Sequence, residues 1–217
     1  MLYAFDLDDT LYKEMTYVAS GYRTVAAELA EATGADADSL FRIISANRPL
    51  GFEAALEAVA GMPGAERFTV DSMVETYRAH TPDISLLPGV ADTLGRLSRQ
   101  GHTLMLITDG STRHQRAKIA ALGIERFFRP EDILISLETG GDKTTVVPWE
   151  IAEKRYPGMR RMYVGDNLSK DFRLPGMRGW HTVMVRDRDN SNVFAQQPTM
   201  WPPENRPQTT VDSIADL

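Results

Sequence analysis

The apolar positions divide the chain into two textures. Leu2–Phe5 form a short apolar run, and acids crowd in directly after it at Asp6, Asp8 and Asp9. From Lys13 to about Ser85 the apolar residues recur at helical spacing, and no run reads as a strand. Val18, Tyr22, Val25 and Leu29 mark one helix that Gly34 closes. Asp36 or Asp38 caps a second, which carries Leu40, Phe41 and Ile44. The break Gly61-Met62-Pro63-Gly64 precedes a further helix across Thr69–Ala79.

After Leu86-Leu87-Pro88-Gly89 the pattern alternates. Val90, Leu94 and Leu97 form a stripe closed by Gly101, and Thr103–Ile107 reads as a buried strand. Ser111 or Thr112 caps a helix bearing Ile119 and Leu122, closed by Gly123. Helical stretches separate further apolar runs at Ile133–Ile135, Met162–Val164 and Thr182–Val185. This alternation predicts an α/β fold with a Rossmann-like parallel sheet and helices on both faces. The Tyr3–Phe5 run belongs to that sheet. The core therefore comprises residues 1–12 and 86–217, interrupted by an all-helical domain over residues 13–85. Residues 187–208 are polar and proline-rich, without periodicity, and read as a loop.

Composition narrows the function classes. Among 217 residues, 24 Lys and Arg face 30 Asp and Glu, a net charge of −6, and cysteine is absent. Absent cysteine excludes a disulfide scaffold, thiolate-bound metal and a cysteine nucleophile. The acidic balance argues against a nucleic-acid partner. No apolar run reaches the ~20 residues of a membrane helix, so no membrane partner is expected. An acid at Asp6 falls where a signal peptide needs its apolar centre. The expectation is a cytoplasmic protein; the pattern favours neither a monomer nor a homodimer.

Four polar clusters each follow an apolar run: Asp6-Leu7-Asp8-Asp9-Thr10, Thr108-Asp109-Gly110-Ser111, Gly140-Gly141-Asp142-Lys143-Thr144, and Gly165-Asp166-Asn167 with Lys170-Asp171. In open parallel sheets ligands gather at the carboxyl ends of the strands, so adjacent strands would bring these clusters to one crevice. There Asp6 could attack an electrophile while Asp8 protonates a leaving group. Asp166 and Asp171, brought close, would repel Asp6 unless a cation lies between them. Oxygen-only donors of this kind suit Mg²⁺. Lys143 would balance the remaining charge and hold a phosphoryl oxygen, although Lys154 or Lys170 could do so instead. Thr108, with the backbone N–H groups of Asp109 and Gly110, would hold another phosphoryl oxygen. Asp171 could equally pair with Lys170 or Arg173 on a helix surface. Arg113, His114, Arg116 and Lys118 read as a solvated basic face. The four histidines lack ligand spacing, and Trp149, Trp180 and Trp201 read as packing residues.

Taken together, these motifs resemble the haloacid dehalogenase-like superfamily, in its phosphatase branch with a helical cap inserted after the first motif. The resemblance rests on Asp6-Leu7-Asp8-Asp9-Thr10-Leu11, on Thr108-Asp109-Gly110, on Ser136, Glu138, Gly140 and Lys143, and on Gly165-Asp166 with Asp171. Leu87-Pro88-Gly89-Val90, Gln115, Lys118 and Leu122-Gly123-Ile124 match as well. It implies that Asp6 is the nucleophile and a Mg²⁺ ligand. It implies that Asp8 is the general acid–base and contributes its backbone carbonyl to the metal. Asp166 would be the second carboxylate ligand, with Asp171 supporting it from behind, and Thr108 and Lys143 would hold the phosphate. One departure concerns the residue after Lys143, where relatives usually carry proline and this chain has Thr144; that puts the loop geometry in question. Dehalogenating relatives lack the second acid, so Asp8 favours oxygen leaving groups. The implied activity is Mg²⁺-dependent hydrolysis of a small phosphorylated metabolite through an aspartyl-phosphate. A phosphomutase would share the same residues, and a non-catalytic binding protein would have no chemical need of them. Within the cap, Tyr12, Lys13, Tyr17, Arg23, Arg42 and Arg48 are candidates for contacting the rest of the substrate.

Overall fold

The computed structural model describes residues 1–217 apart from the side chain of Pro198. Its centre is β1 (Leu2–Phe5), every residue of which is buried. A strand covered on both faces needs apolar residues at successive positions, as Leu-Tyr-Ala-Phe supplies. The other strands are β2 (Thr103–Thr108), β3 (Ile133–Ile135), β4 (Arg161–Gly165), β5 (His181–Val185) and β6 (Thr209–Val211). All pair in parallel, in the order β3-β2-β1-β4-β5-β6. The chain runs outward from β1 to β2 and β3, then returns to β4 on the opposite flank. The strand order therefore reverses at β1, the topological switch point where open α/β sheets open a crevice. The fold is α/β and Rossmann-like. The sixth strand, Thr-Thr-Val, is too short, polar and exposed to stand out from the pattern of the sequence.

The chain divides into two compact units, Met1–Met15 with Ser85–Leu217, and Thr16–Ile84. The helices are α1 (Glu14–Thr33), α2 (Ala37–Ala46), α3 (Gly51–Ala58), α4 (Val70–Ala79), α5 (Val90–Arg99), α6 (Thr112–Leu122), α7 (Ser136–Thr139), α8 (Val147–Arg155) and α9 (Arg173–Met177). In the helical unit, Asp36 caps α2 by accepting from Ser39 N at 2.9 Å, and Thr69 and Ser72 form a reciprocal capping box on α4. Val25, Leu29, Leu40, Ile44, Val59 and Met73 meet in its core.

In the sheet unit, Leu2, Ala4, Met105, Ile107 and Tyr163 present one face to Trp149 and Trp180. Trp149 meets Tyr163 and Trp180 edge-on at 4.9 and 5.5 Å. Both indole N–H groups find acceptors, Trp149 in the Lys143 carbonyl at 3.2 Å and Trp180 in Glu153 at 2.9 Å. Packing on this face thus fixes the backbone of the residue that precedes the candidate site's loop turn. Residues 187–208 do form an irregular segment, but one tied down by side-chain hydrogen bonds. Among the described residues, no helix is long and apolar enough to cross a membrane.

Candidate functional site

Register brings the first and fourth polar clusters together. Phe5 lies opposite Val164, and the Asp6 N–H donates to the Val164 carbonyl at 2.8 Å, so Asp6 leaves β1 beside the end of β4 where Asp166 stands. Phe5 also pairs with Leu106, so β2 ends at Thr108 on the other flank of Asp6. Carboxylate oxygens of Asp6, Asp166 and Asp171 lie within 4.8 Å of one another, and all three residues are buried.

Asp171 is held by the loop that follows β4. It accepts from the backbone N–H groups of Asp166 at 3.1 Å and Asn167 at 2.8 Å, and from the Tyr163 hydroxyl at 3.2 Å. Gly165 makes that approach feasible, because a Cβ there would stand 2.5 Å from Asp171 Oδ2. Both Asp171 oxygens are thereby engaged by the protein. Asp171 does not take up the alternative of pairing on a helix surface.

The Lys143 side chain is wholly buried, with Nζ 2.8 Å from Asp6 Oδ2 and 2.7 Å from Asp171 Oδ1. Neither alternative lysine takes this place: Lys170 pairs with Asp109 at 3.1 Å and Lys154 with Glu150 at 3.5 Å. Burial works against the Lys143 charge, but Asp171, Asp6 and Asp109 outweigh it and raise its pKa. Thr144, in place of the usual proline, leaves an ordered turn. Its N–H and hydroxyl both donate to Asp142 Oδ1, at 2.9 and 2.6 Å. Asp109 Oδ1 accepts from the Lys143 N–H at 3.1 Å, tying this loop to the end of β2.

The phosphate-holding candidates are arranged unequally. Thr108 is buried, and its hydroxyl oxygen accepts from Gln115 at 2.5 Å. The Gly110 N–H already donates to Ser136 Oγ at 3.0 Å. The amide assigned to an incoming anion from sequence thus has a partner within the protein.

Asp8 points to a separate network. Lys118 Nζ lies 2.7 Å from Asp8 Oδ1, the Tyr12 hydroxyl donates to the same oxygen, and Gln115 donates to Oδ2 at 2.9 Å. Burial alone would raise the Asp8 pKa, but the Lys118 ammonium and these hydrogen bonds hold it below the usual carboxylate range. Asp6 behaves oppositely: burial pushes its pKa up to about 7, with Lys143 opposing and Asp171 adding to the rise. Asp166 is also raised well above its ordinary value, first by burial and then by Asp171 and Asp6.

A model of the haloacid dehalogenase-like hydrolases matches residues 1–173. The chain belongs to that family. The glyceraldehyde 3-phosphate phosphatase of Methanocaldococcus jannaschii is 30% identical over 195 residues, spanning 83% of this chain and 82% of the relative. The ribulose-1,5-bisphosphate 5-phosphatase of Halopiger xanaduensis is 26% identical over 235 residues, spanning 98% and 95%. Among solved structures, the magnesium-bound HAD-hydrolase YfnB of Bacillus subtilis superposes with a TM-score of 0.64, covering 100% of this chain and 96% of that one. At 19% identity that likeness speaks for the fold alone.

Haloacid dehalogenase-like hydrolases typically use a divalent metal, and the donor set here fits one. Asp6 and Asp166 supply hard oxygens, and their pKa values are raised first by burial and then by the neighbouring carboxylates, a crowding of acids that a cation would offset. Reasoning from sequence missed several partners in this hydrolase. Lys118 belongs to the buried face of α6, not to its solvated one. The signal was legible, since Gln115, Lys118, Ile119 and Leu122 share one helical stripe. Of the candidates for substrate contact, Tyr12 is fully buried and donates to Asp8, and Lys13 pairs with Asp187 and Asn192 of the 187–197 loop. Asn192 carried no signal at all; it donates to Asp166 from a segment without periodicity.

Proposed function

We propose that the chain is a Mg²⁺-dependent phosphatase that hydrolyses a small phosphate monoester through an aspartyl-phosphate on Asp6. The observation that carries this reading is the division of labour between two aspartates, Asp6 buried and Asp8 partly exposed. Asp6 sits among charges that suit a phosphoryl group, while Asp8, two residues on, is held by an independent set of donors. Asp6 and Asp166 would hold the metal with the Asp8 backbone carbonyl, and Asp171 would support them. When bound, the metal supplies positive charge that draws in the phosphoryl oxygens and offsets the carboxylates.

The chain's own residues do the rest. An Asp6 oxygen attacks phosphorus, forming a P–O bond as the ester P–O bond breaks. Asp8 gives its proton to the departing alcohol. Tyr12, Gln115 and Lys118 hold Asp8 as a carboxylate in the free protein; the negative charge of an arriving phosphate raises its proton affinity, so that it takes up from water the proton it then transfers. In the second step Asp8 takes a proton from water, the water oxygen attacks phosphorus, and the Asp6 carboxylate leaves as inorganic phosphate forms. Lys143 and Thr108 stabilise the charge on the equatorial oxygens. Asp109 and Gly110 shape the loop beside them. Residues 13–85 are read as a helical cap domain, and residues 1–12 and 86–217 as the core domain. The names of the relatives support a phosphorylated sugar as substrate. Phosphate release from glyceraldehyde 3-phosphate, ribulose 1,5-bisphosphate and several dozen other esters, ranked by kcat/KM with Mg²⁺, tests the substrate class. Asp6→Asn should abolish turnover; a well-folded Asp6→Asn variant with unchanged activity overturns the mechanism.

A further inference from the structure

Resting on the metal-dependent reading above, we propose that Asn192 is a positioning residue that fixes the Asp166 carboxylate for a divalent cation, with Lys13 fixing Asn192 in turn. The Asn192 side-chain N–H donates to Asp166 Oδ2 at 3.0 Å, and its carbonyl oxygen accepts from Lys13 Nζ at 2.6 Å. This amide can face only one way. Lys13 offers nothing but donors and a carboxylate nothing but acceptors, so the amide oxygen must meet Lys13 and the amide nitrogen Asp166.

The loop that carries Asn192 is itself anchored at both ends of the contact. The Asn192 N–H donates to Asp187 Oδ2 at 2.8 Å, and Asp187 Oδ1 pairs with Lys13 at 3.0 Å. The Val193 N–H donates to Asp9 Oδ2 at 2.8 Å. Gln196 Nε2 donates to the Asp166 carbonyl at 3.0 Å and to the Val185 carbonyl at 2.8 Å. Asp166 is therefore gripped through its backbone by one loop residue and through its side chain by another. A hydrogen bond to one oxygen restrains the Asp166 carboxylate against rotation and biases its donor position before the metal arrives. Groups standing directly behind metal ligands typically change metal affinity about 10- to 100-fold when removed.

The test titrates Mg²⁺ into metal-free full-length protein by calorimetry, without substrate. Asn192→Ala should weaken Mg²⁺ binding about tenfold. Asn192→Gln, which keeps the amide on a longer arm, should recover part of that loss. A merely structural role would lower the thermal midpoint of Asn192→Ala in chelator and leave the Mg²⁺ dissociation constant alone. Lys13→Met, which keeps Asn192 but frees its oxygen, should weaken binding by a smaller factor and serves if Asn192→Ala does not fold. Binding within twofold of the parent in the folded variants overturns the role of Asn192. A parent protein that binds no divalent cation overturns the metal-dependent reading itself.

Discussion

Lys118 and Asp8 are 110 residues apart in the chain and 2.7 Å apart in the fold. Both belong to the same sheet unit, Asp8 in the turn after β1 and Lys118 in the middle of α6, the helix that follows β2. Asp8 is thereby held as a carboxylate, and its orientation depends on a residue with no role at phosphorus. Lys118→Met should lower kcat on alkyl phosphates roughly tenfold or more, a part of the 10²–10⁴ that a general acid–base typically contributes. On 4-nitrophenyl phosphate, whose leaving group needs no proton, the first step should change far less. Steady-state and single-turnover rates on the two ester classes check this.

Gly165 has no side chain because Asp171 occupies the space. A Cβ at that position would stand 2.5 Å from Asp171 Oδ2 and 2.8 Å from its Cγ. Gly165→Ala should push Asp171 off the Asp166 and Asn167 amides and loosen its pair with Lys143. The expected loss is about 1–3 kcal/mol, as for overpacking elsewhere. Urea denaturation with an unchanged m value measures it, and phosphatase activity should fall with it.

Glu153 links helix α8 to the turn before β5. It accepts from Arg178 at 3.0 and 2.6 Å and from the Trp180 indole at 2.9 Å. The Arg178 hydrogen bonds, partly offset by burial and helped by Trp180, lower its pKa below the ordinary 4.5. A carboxylate depressed in the folded state contributes stability that is fully present above its unfolded pKa and is lost as pH falls through the folded value. The parent should therefore lose stability below about pH 4.5, and Glu153→Gln should lose less over the same range. Thermal midpoints between pH 3 and 7 decide this.

The contrast between Asp6 and Asn192 separates what the chain determined locally from what the tertiary structure decided. Apolar periodicity was enough to place the strands from β1 to β5, the helices α2, α4 and α6, and the order of the polar clusters, because each of these depends on near neighbours in sequence; the caps of α2 and α6 fell on Asp36 and Ser111, one of the two residues the sequence offered for each. Parallel pairing then obliges residues that end adjacent strands to share an edge, which is why Asp6 and Asp166 could be anticipated as a pair. What could not be read was which donors each carboxylate would find. Asp8 took Lys118 and Tyr12, Asp166 took Asn192, and the Gly110 amide took Ser136. These contacts span up to 110 residues; apart from Lys118, whose burial the stripe of α6 signals, they carry no periodic signature, since a polar side chain on a loop is free to point anywhere until packing closes around it. The residue types and spacing of four motifs determined the candidate chemistry. Tertiary packing, which removes water as the competing partner and brings distant donors in, decided how each acid is tied: burial raised Asp6 and Asp166, while Lys118 and its fellow donors lowered Asp8 against burial.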